Sequence, residues 1–446
     1  MRKFRVLSVL GLGVLVAVLV LAGQMRSFAR PHYSDLALLS NVLHLVEQHY
    51  VTEVDDRKLI EGALNGMLAT LDPHTSYLTP EFYKEVQLDT KGEFEGLGIE
   101  ITKQDGYVTV VSPIDGTPAA RAGIRPRDQI VAVCPELTET SCLSTKDMTL
   151  LEAVKYMRGP RGSSIMLQIQ REGEVSPKPF VIVRQSIQVP SVTVRMLEPG
   201  IPYARISQFQ ERTAKDLAAG LARAAKDGPI QGLVLDLRDN PGGLLDQAVK
   251  VADLFLSDGL IVFSEGREGA NRMEWHATAP GTQPGYPMVV IVNGGSASAS
   301  EIVAGSLQDH KRALVLGSET FGKGSVQTII PLEDGSGLRL TTALYYLPSG
   351  RSIQEVRVQP DVIVDPYSEA ELAALEKEGE RPKTLGEEHL QRHLTAARER
   401  KKPEAKHPAG EEDPAAADAR DRQLSRARDL LRSWKIFSTL RTTPQA

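Results

Sequence analysis

The spacing of apolar residues predicts helices at the start of the chain and again at its end. Residues 34–70 repeat apolar side chains at helical intervals, which predicts two helices. Pro73 interrupts this pattern because the residue before a proline disfavours the helical conformation, and Thr79-Pro80 begins a new helix with a cap and a proline. A last apolar helical face, which must pack on the body or on a second subunit, comprises Leu424, Ala427, Leu430, Leu431 and Trp434.

Between these ends the pattern changes twice. Short β-type runs separated by glycine and proline turns fill residues 94–184, with one helix at 149–157, and predict a small barrel-like module. Residues 190–365 alternate strands with helices, which is typical of an α/β layer structure. Residues 376–422 hold few large apolar side chains, so this stretch predicts a mobile tail or a solvated helix.

An uncharged run from Val6 to Gly23 follows three basic residues and predicts an export signal. At 1.5 Å per residue its length is roughly 27 Å, enough to remain as a membrane anchor. Cleavage near Ala29 is the competing outcome, and we favour retention. Because basic residues stay in the cytoplasm, the rest of the chain is expected on the periplasmic side of the inner membrane, anchored or released.

Composition narrows the class of protein. The chain has 446 residues, of which 41% are hydrophobic and 24% charged, and a net charge of −5. These values are typical of a globular multidomain protein and give no general attraction for nucleic acid. The patterns together predict a signal or anchor, a helical region, a β module, an α/β core, a charged tail and a final helix, at residues 1–30, 31–92, 93–185, 186–365, 366–422 and 423–446.

The two cysteines, Cys134 and Cys142, lie in the β module. Export permits a disulfide, which would fix a surface loop. No histidine or third cysteine is near enough in sequence to complete a metal site, so a disulfide is the favoured interpretation, and neither a metal nor another cofactor is expected.

The stretch from Met288 to Ile302 is the most informative for chemistry. A buried strand meets two glycines, then Ser296, Ser298 and Ser300, then a helix, whose N-terminus favours developing negative charge. One of these serines could act as a nucleophile if a base lay within reach. Alternatively, the serines only cap the helix.

A candidate base follows in the next apolar run. Lys323 stands between two glycines, and burial of its ammonium group without a carboxylate partner would lower its pKa and give a neutral amine. Gln327 could hydrogen-bond that amine, whereas the alternative for Gly-Lys-Gly is an exposed turn. The Pro-Gly-Gly turn at 241–243 could supply backbone N–H groups to an oxyanion, or be only a well-made loop around Asp236.

These segments, with residues 71–76 and 96–100, resemble the carboxyl-terminal processing, or tail-specific, proteases, over about residues 35–365. The resemblance implies a ClpP/crotonase-like α/β protease core with a PDZ-like module. It implies that Ser298 is the nucleophile of a serine endopeptidase, Lys323 the base and Gln327 its orienting partner, with oxyanion donors at Ala299 and in Gly242-Gly243, of which we favour Gly243.

The PDZ-like module is expected to hold substrate C-termini. An edge strand adds the substrate tail as a further strand and loop N–H groups hold its carboxylate. Arg158 adds a positive charge there or is a solvated helix cap. The groove residues are Gly96, Leu97, Gly98, Ile99 and Val154.

Other hypotheses concern the base, the activity and the partners. His310 would lie about 18 Å from Ser298 along one helix, too far to serve as its base. A catalytically inactive PDZ scaffold that binds C-termini is the alternative function, and the presence of Ser298, Lys323 and Gln327 favours the enzyme. Self-association, with an activator or adaptor protein, is also expected from the resemblance.

Overall fold

The computed structural model describes residues 32–104, 106–146, 148–354, 356–367, 371, 386–387, 390, 418 and 421–442. The predicted export segment lies outside these ranges. Within them, no helix combines the length and the apolar character that crossing a membrane requires. The chain divides into two units, residues 1–71 and 72–446.

The first unit contains the two predicted helices, α1 (His32–His49) and α2 (Asp56–Leu68). Asp55 caps α2, because its carboxylate accepts the N–H of Arg57 at 3.0 Å. Apolar side chains of α1 are exposed, among them Leu36, Leu39 and Val42.

The second unit begins with β1 (Ser76–Leu78) and α3 (Pro80–Lys91), and continues into the PDZ-like module. The helices of the module are α4 (Pro118–Arg121) and α5 (Leu150–Met157). Its strands are β2 (Glu93–Gly96), β3 (Ile99–Gln104), β4 (Tyr107–Pro113), β5 (Gln129–Cys134), β6 (Leu143–Ser144), β7 (Ser164–Gln170), β8 (Lys178–Val183) and β9 (Gln185–Gln188).

The main sheet of this module has the order β3-β4-β5-β7-β8, and β6 pairs with β5. Alternate side chains such as Val108, Ile130 and Leu167 point into its buried core. Strand β3 is an edge strand and α5 packs beside it. Cys134 and Cys142 form a disulfide that closes the loop between β5 and β6.

The core consists of two sheets with helices α6 (Thr213–Ala224), α7 (Leu245–Asp253) and α8 (Ala299–Asp309). Its strands are β10 (Val192–Glu198), β11 (Ile201–Ile206), β12 (Leu233–Asp236), β13 (Leu260–Glu265), β14 (Met273–His276), β15 (Met288–Val292), β16 (Leu314–Gly317), β17 (Ser325–Pro331), β18 (Gly337–Tyr346) and β19 (Val362–Ile363). The larger sheet has the order β10-β11-β12-β15-β16-β19 and is parallel except for β10. Its central strands β12 and β15 are entirely buried, which explains their continuous apolar sequences. The predicted fold class, mixed α/β with a PDZ-like module, is confirmed.

The second sheet has the order β1-β18-β13-β14, with β17 paired to β18. Strand β1 precedes the PDZ-like module in the chain, yet Ser76 pairs with Arg339 of β18. This long-range pairing brings the Asp-Pro-His-Thr turn at residues 72–75 to the strands that follow Lys323. The sequence pattern indicates only a helix break there.

The final helix, α9 (Arg422–Thr442), docks on the body of the chain. Leu424, Ala427 and Leu431 are buried against strands of the larger sheet. An ion pair of 2.7 Å between Arg238 and Asp421 fixes the start of the helix. The predicted solvated tail needs one correction: Gly386 and Glu387, within it, are buried.

Candidate active site

A sharp turn between β15 and α8 carries the three candidate serines. Ser298 has φ 53° and ψ −111°, a conformation that is rare for a residue with a side chain. Such strained backbone persists only where the surroundings enforce it, and it is concentrated at functional sites. Among the three candidate serines, Ser298 is thus the one whose backbone has a positive φ.

Hydrogen bonding separates the three serines further. Ser296 is fully buried and donates to the carbonyl of Leu237 at 2.8 Å. Ser300 is also fully buried and donates to the carbonyl of Asn240 at 3.0 Å. Both hydroxyls thus fasten the serine segment to residues 237–240. Ser298, by contrast, is half-buried and lies at the start of α8. The structure favours Ser298 as the accessible hydroxyl.

Glu301, one turn into α8, connects the serine turn to the lysine loop. Its Oε2 accepts the amide N–H of Ser298 at 2.8 Å and that of Lys323 at 2.9 Å. Its Oε1 accepts the amide of Gly322 at 2.8 Å and the hydroxyl of Thr320 at 2.5 Å. Burial raises the pKa of this carboxyl to about 7, against the lowering effect of the four donors. The sequence signal for this role is the spacing of a capping box, Ser298-x-x-Glu301.

Lys323 lies in a loop and is followed by Gly324, where any larger residue would clash. A Cβ on Gly324 would lie 2.3 Å from the amide nitrogen of Gln354. Burial lowers the pKa of the Lys323 amine, opposed by the charge of Glu387 and helped by that of Arg339, with smaller opposing effects of Glu301 and Asp72. This direction is the one that a general base requires.

The structure brings the backbones of Ser298 and Lys323 together but leaves their side chains unbonded. Within the residues that the structure describes, no hydrogen bond joins Ser298 Oγ to Lys323 Nζ. No hydrogen bond joins Gln327 to the Lys323 amine in the described residues. The side-chain amide of Gln327 donates instead to the hydroxyls of Ser325 at 3.1 Å and Thr341 at 3.0 Å. Thr341 in turn contacts Thr75, whose hydroxyl donates to Asp72 at 2.6 Å.

The Pro-Gly-Gly turn lies directly against the serine. A Cβ on Gly242 would be 2.9 Å from the Cβ of Ser298 and 3.1 Å from the amide nitrogen of Ala299. The N–H of Gly242 is already bonded to the side chain of Asn240 at 2.9 Å. In the described part of the chain the N–H groups of Gly243 and Ala299 have no such partner, so both are free to donate a hydrogen bond; their expected role as oxyanion donors stays a prediction.

Asn240 holds this arrangement together and was not identified from the sequence. Its carbonyl accepts the amide of Ala297 at 2.9 Å as well as the Ser300 hydroxyl. Its side-chain amide donates to the carbonyl of Ile206 at 2.8 Å. Asn240 is fully buried and hydrogen-bonds both the Pro-Gly-Gly turn and the serine segment. These bonds fix the distance between the two segments.

The groove of the PDZ-like module runs between β3 and α5. Arg158, at its end, forms an ion pair of 3.2 Å with Glu85 of α3, and its guanidinium lies 5.4 Å from the ring centroid of Phe94. Three groove residues, Phe94, Ile101 and Met157, were not expected from the sequence. The groove is lined by Phe94, Gly96, Leu97, Gly98, Ile99, Ile101, Val154, Met157 and Arg158.

His310 has a structural role. Its Nε2 lies 2.7 Å from the carbonyl oxygen of Leu260. Asp309 pairs with Arg351 at 2.9 Å. A Ser-His-Asp arrangement is therefore absent from this helix.

Three protein-family profiles match the chain. The profile described as peptidase family S41 covers residues 200–364, a PDZ domain covers 109–171, and the N-terminal domain of the activating protease CtpB covers 21–81.

Curated relatives match over most of the chain. A carboxy-terminal-processing protease of Bartonella bacilliformis is 46% identical over 403 residues, which are 90% of this chain and 89% of that protein. A carboxyl-terminal-processing protease of Synechocystis is 37% identical over 330 residues, 72% of this chain and 75% of that protein. Among solved structures, a photosystem II D1 C-terminal processing protease is 32% identical, covers 74% of this chain and 93% of its own, and has a TM-score of 0.44.

Proposed function

The chain belongs to peptidase family S41, among the carboxy-terminal processing proteases, which are serine-type peptidases, and on this premise we propose that Ser298 and Lys323 form its catalytic dyad. The protein would act after export, select substrates by their C-termini and cleave them through an acyl-enzyme. The observation that carries this proposal is the shared hydrogen-bond acceptor, Oε2 of Glu301, which receives the amides of both residues.

The chemical steps follow from the groups present. The neutral amine of Lys323 takes the proton of the Ser298 hydroxyl as Oγ attacks the substrate carbonyl carbon. The negative oxygen of the tetrahedral intermediate is stabilised by the N–H groups of Gly243 and Ala299. Collapse breaks the peptide bond, and the departing amine takes the proton from the lysine. The neutral amine of Lys323 then takes a proton from water as the water oxygen attacks the acyl carbon, and Lys323 returns this proton to the released Oγ of Ser298.

We propose that a change of side-chain rotamer precedes these steps. Since no hydrogen bond joins Oγ to Nζ in the described residues, the amine of Lys323 or the hydroxyl of Ser298 would turn toward the other when substrate binds. The flexible four-carbon stem of lysine permits this without movement of the loop that Glu301 holds.

Substrate selection is assigned to the groove beside β3. Strand β3 is an edge with unpaired backbone groups, which can pair with an extended substrate tail. The loop from Gly96 to Gly98 supplies N–H groups for the terminal carboxylate, and Leu97, Ile99 and Val154 supply apolar contacts for the last side chain. Arg158, which pairs with Glu85, also lines this groove.

Location and assembly are further parts of the proposal. The sequence of residues 1–30 supports a periplasmic position at the inner membrane, with the segment either retained or cleaved. The match of residues 21–81 to the N-terminal domain of the activating protease CtpB supports contact with an activator or adaptor protein. Self-association is proposed from the sequence resemblance alone.

The test compares the full chain with Ser298→Ala and Lys323→Ala on an unfolded protein such as casein. Both variants should still fold, as a cooperative thermal unfolding curve would show, and lose turnover by several orders of magnitude. Ser296→Ala and Ser300→Ala are matched controls, which should lose stability but keep measurable cleavage. Normal turnover by either dyad variant would refute the dyad, and binding of C-terminal peptides without any cleavage by the wild type would favour the scaffold.

A further inference from the structure

The charged C-terminal segment returns to the lysine loop at Gly386 and Glu387. Both residues are buried, although the sequence around them is rich in charged residues. The amide nitrogen of Glu387 donates to the carbonyl of Phe321 at 3.1 Å, two residues before Lys323. No apolar pattern marks this position, so its burial must be due to specific polar contacts.

The carboxylate of Glu387 makes those contacts. Nε2 of His74 lies 2.7 Å from Oε1 and 2.9 Å from Oε2. The side-chain amide of Gln354 donates to Oε1 at 3.3 Å, and its oxygen accepts the amide of Gly324 at 2.9 Å. Glu387 thus reaches the residues on both sides of Lys323, through Phe321 directly and through Gln354 to Gly324.

Charges of both signs face the Lys323 amine. The carboxylates of Glu387, Glu301 and Asp72 favour the ammonium form, whereas the guanidinium of Arg339 disfavours it. Among the charged groups, Glu387 has the largest effect. His74 is the titratable group that faces Glu387 itself. No ion pair within 4.0 Å involves Lys323 in the described residues.

We propose that Glu387 is a positioning residue that acts through Lys323: its amide bond to Phe321 and the contacts of its carboxylate with His74 and Gln354 hold the lysine loop and place a buried carboxylate among the groups that act on the amine. This proposal rests on the role of Lys323 as the base. A carboxylate near an ammonium group stabilises the charged form, so removing the carboxylate releases the proton at lower pH. Glu387 would thus keep more of the Lys323 amine protonated, and so lower the rate of cleavage, at the acidic end of the working pH range.

The test measures kcat/KM against pH for the full chain and for Glu387→Gln, which keeps the shape of the side chain but removes its charge. The acidic limb should move to lower pH by about 0.5–1 unit, so that cleavage at pH values below the limb rises about 3–10-fold. Glu387→Asp, which keeps the charge, should return the limb close to the wild-type position.

Arg339→Gln provides a control of opposite sign. Loss of its positive charge should move the limb to higher pH. An unmoved limb in Glu387→Gln, a uniform loss of activity at every pH, or shifts of the same direction in both variants would overturn the proposal. Cleavage by Lys323→Ala would instead refute the dyad, so the two failures are distinguishable.

Discussion

Ser298 and Lys323 donate their amide N–H groups to the same atom, Oε2 of Glu301, at 2.8 and 2.9 Å. The two residues lie on different elements, one at the start of α8 and the other in the loop before β17. A single carboxylate oxygen thereby fixes the distance between the backbones of Ser298 and Lys323. In the described residues the two are thus linked through their backbones and not by a hydrogen bond between their side chains.

Replacing Glu301 with glutamine should therefore reduce activity in a protein that still folds. The amide group supplies one acceptor oxygen instead of two, so an NH₂ group would face two backbone donors or displace the Thr320 hydroxyl. Each buried donor left without an acceptor costs about 1–3 kcal/mol. We expect kcat/KM to fall by about 10- to 100-fold and thermal stability to decrease.

Glu152 offers a matched control, because it forms a capping box with Thr149 at the start of α5. Glu152→Gln should weaken that helix cap without a comparable loss of peptide-bond cleavage. If Glu301→Gln and Glu152→Gln reduced cleavage equally, the bridging role of Glu301 would be wrong. The measurements are steady-state cleavage and a thermal unfolding curve for each variant.

The Pro-Gly-Gly turn at residues 241–243 predicts that even a methyl side chain there lowers activity strongly. A Cβ on Gly242 would lie 2.9 Å from the Cβ of Ser298, and one on Gly243 would lie 2.2 Å from the carbonyl oxygen of Phe209. Gly243→Ala should lower kcat by about 10²–10³-fold, the range for loss of one oxyanion donor, because the clash with Phe209 would displace its N–H group. Gly242→Ala should also lower kcat, because its Cβ would press on Ser298, although the Gly242 N–H itself is bonded to Asn240. Both positions also have positive φ, of 102° and 137°, so backbone strain adds to the clash.

Gly116→Ala separates strain from the oxyanion effect. Gly116 has φ 71° and open space around its Cα, so alanine there introduces strain without a contact. Its kcat should be close to that of the wild type. A Gly243→Ala protein that keeps its kcat, with or without altered stability, would remove this turn from the oxyanion hole.

The sequence predicted the helices and strands that carry the site more readily than the contacts between them. The spacing of apolar residues predicted α5, α8 and most strands of both domains because these elements bury a continuous or alternating face. It left three serines open, and only the resemblance selected Ser298. Backbone strain at Ser298 and the bonds of Ser296 and Ser300 separate them physically, but neither feature is visible in the pattern.

The contacts that the sequence did not reveal are made between distant parts of the chain. Strand β1 pairs with β18 across more than 250 residues, which no local periodicity can indicate. Glu387 lies in a stretch without apolar residues at regular spacing, so its burial depends on partners in three other segments. Glu301 did carry a local signal, a serine three residues before a glutamate, but this signal is common to ordinary helix caps.

The groove of the PDZ-like module predicts dependence on a free C-terminus. Amidation removes the negative charge that the loop N–H groups from Gly96 to Gly98 would hold, so a peptide amide should bind about 10-fold or more weakly than the acid. Val154→Asp should weaken the acid form too, because it places a charge in the apolar part of the groove. Fluorescence anisotropy with a labelled peptide measures both effects.

Val181 on β8 provides the control for this experiment. It is exposed, on the edge strand opposite β3 in the module sheet. Val181→Asp should leave peptide binding unchanged. Equal affinity for acid and amide forms would contradict recognition of the carboxylate, whatever the effect of Val154→Asp.

Lys323 is half-buried, and this burial predicts that its amine lowers the stability of the fold. Its pKa lies below the ordinary value of 10.5 chiefly because of burial. A basic group whose folded pKa is depressed destabilises the fold wherever the unfolded chain is protonated. The penalty is complete below the folded pKa, shrinks as pH rises through the interval up to 10.5, and vanishes above it.

Lys323→Met, which keeps the length and apolar stem of the side chain, should abolish cleavage and raise the free energy of unfolding. The gain in the free energy of unfolding should be about 1.4 kcal/mol for each unit by which the pKa of Lys323 is lowered. It should be largest at neutral and acidic pH and disappear above about pH 10.5. Lys250, exposed and paired with Asp246, is the matched control, and Lys250→Met should show no such pH-dependent gain. Urea unfolding at several pH values tests this, and a Lys323→Met protein less stable than the wild type at neutral pH would show that the amine is stabilised as a cation.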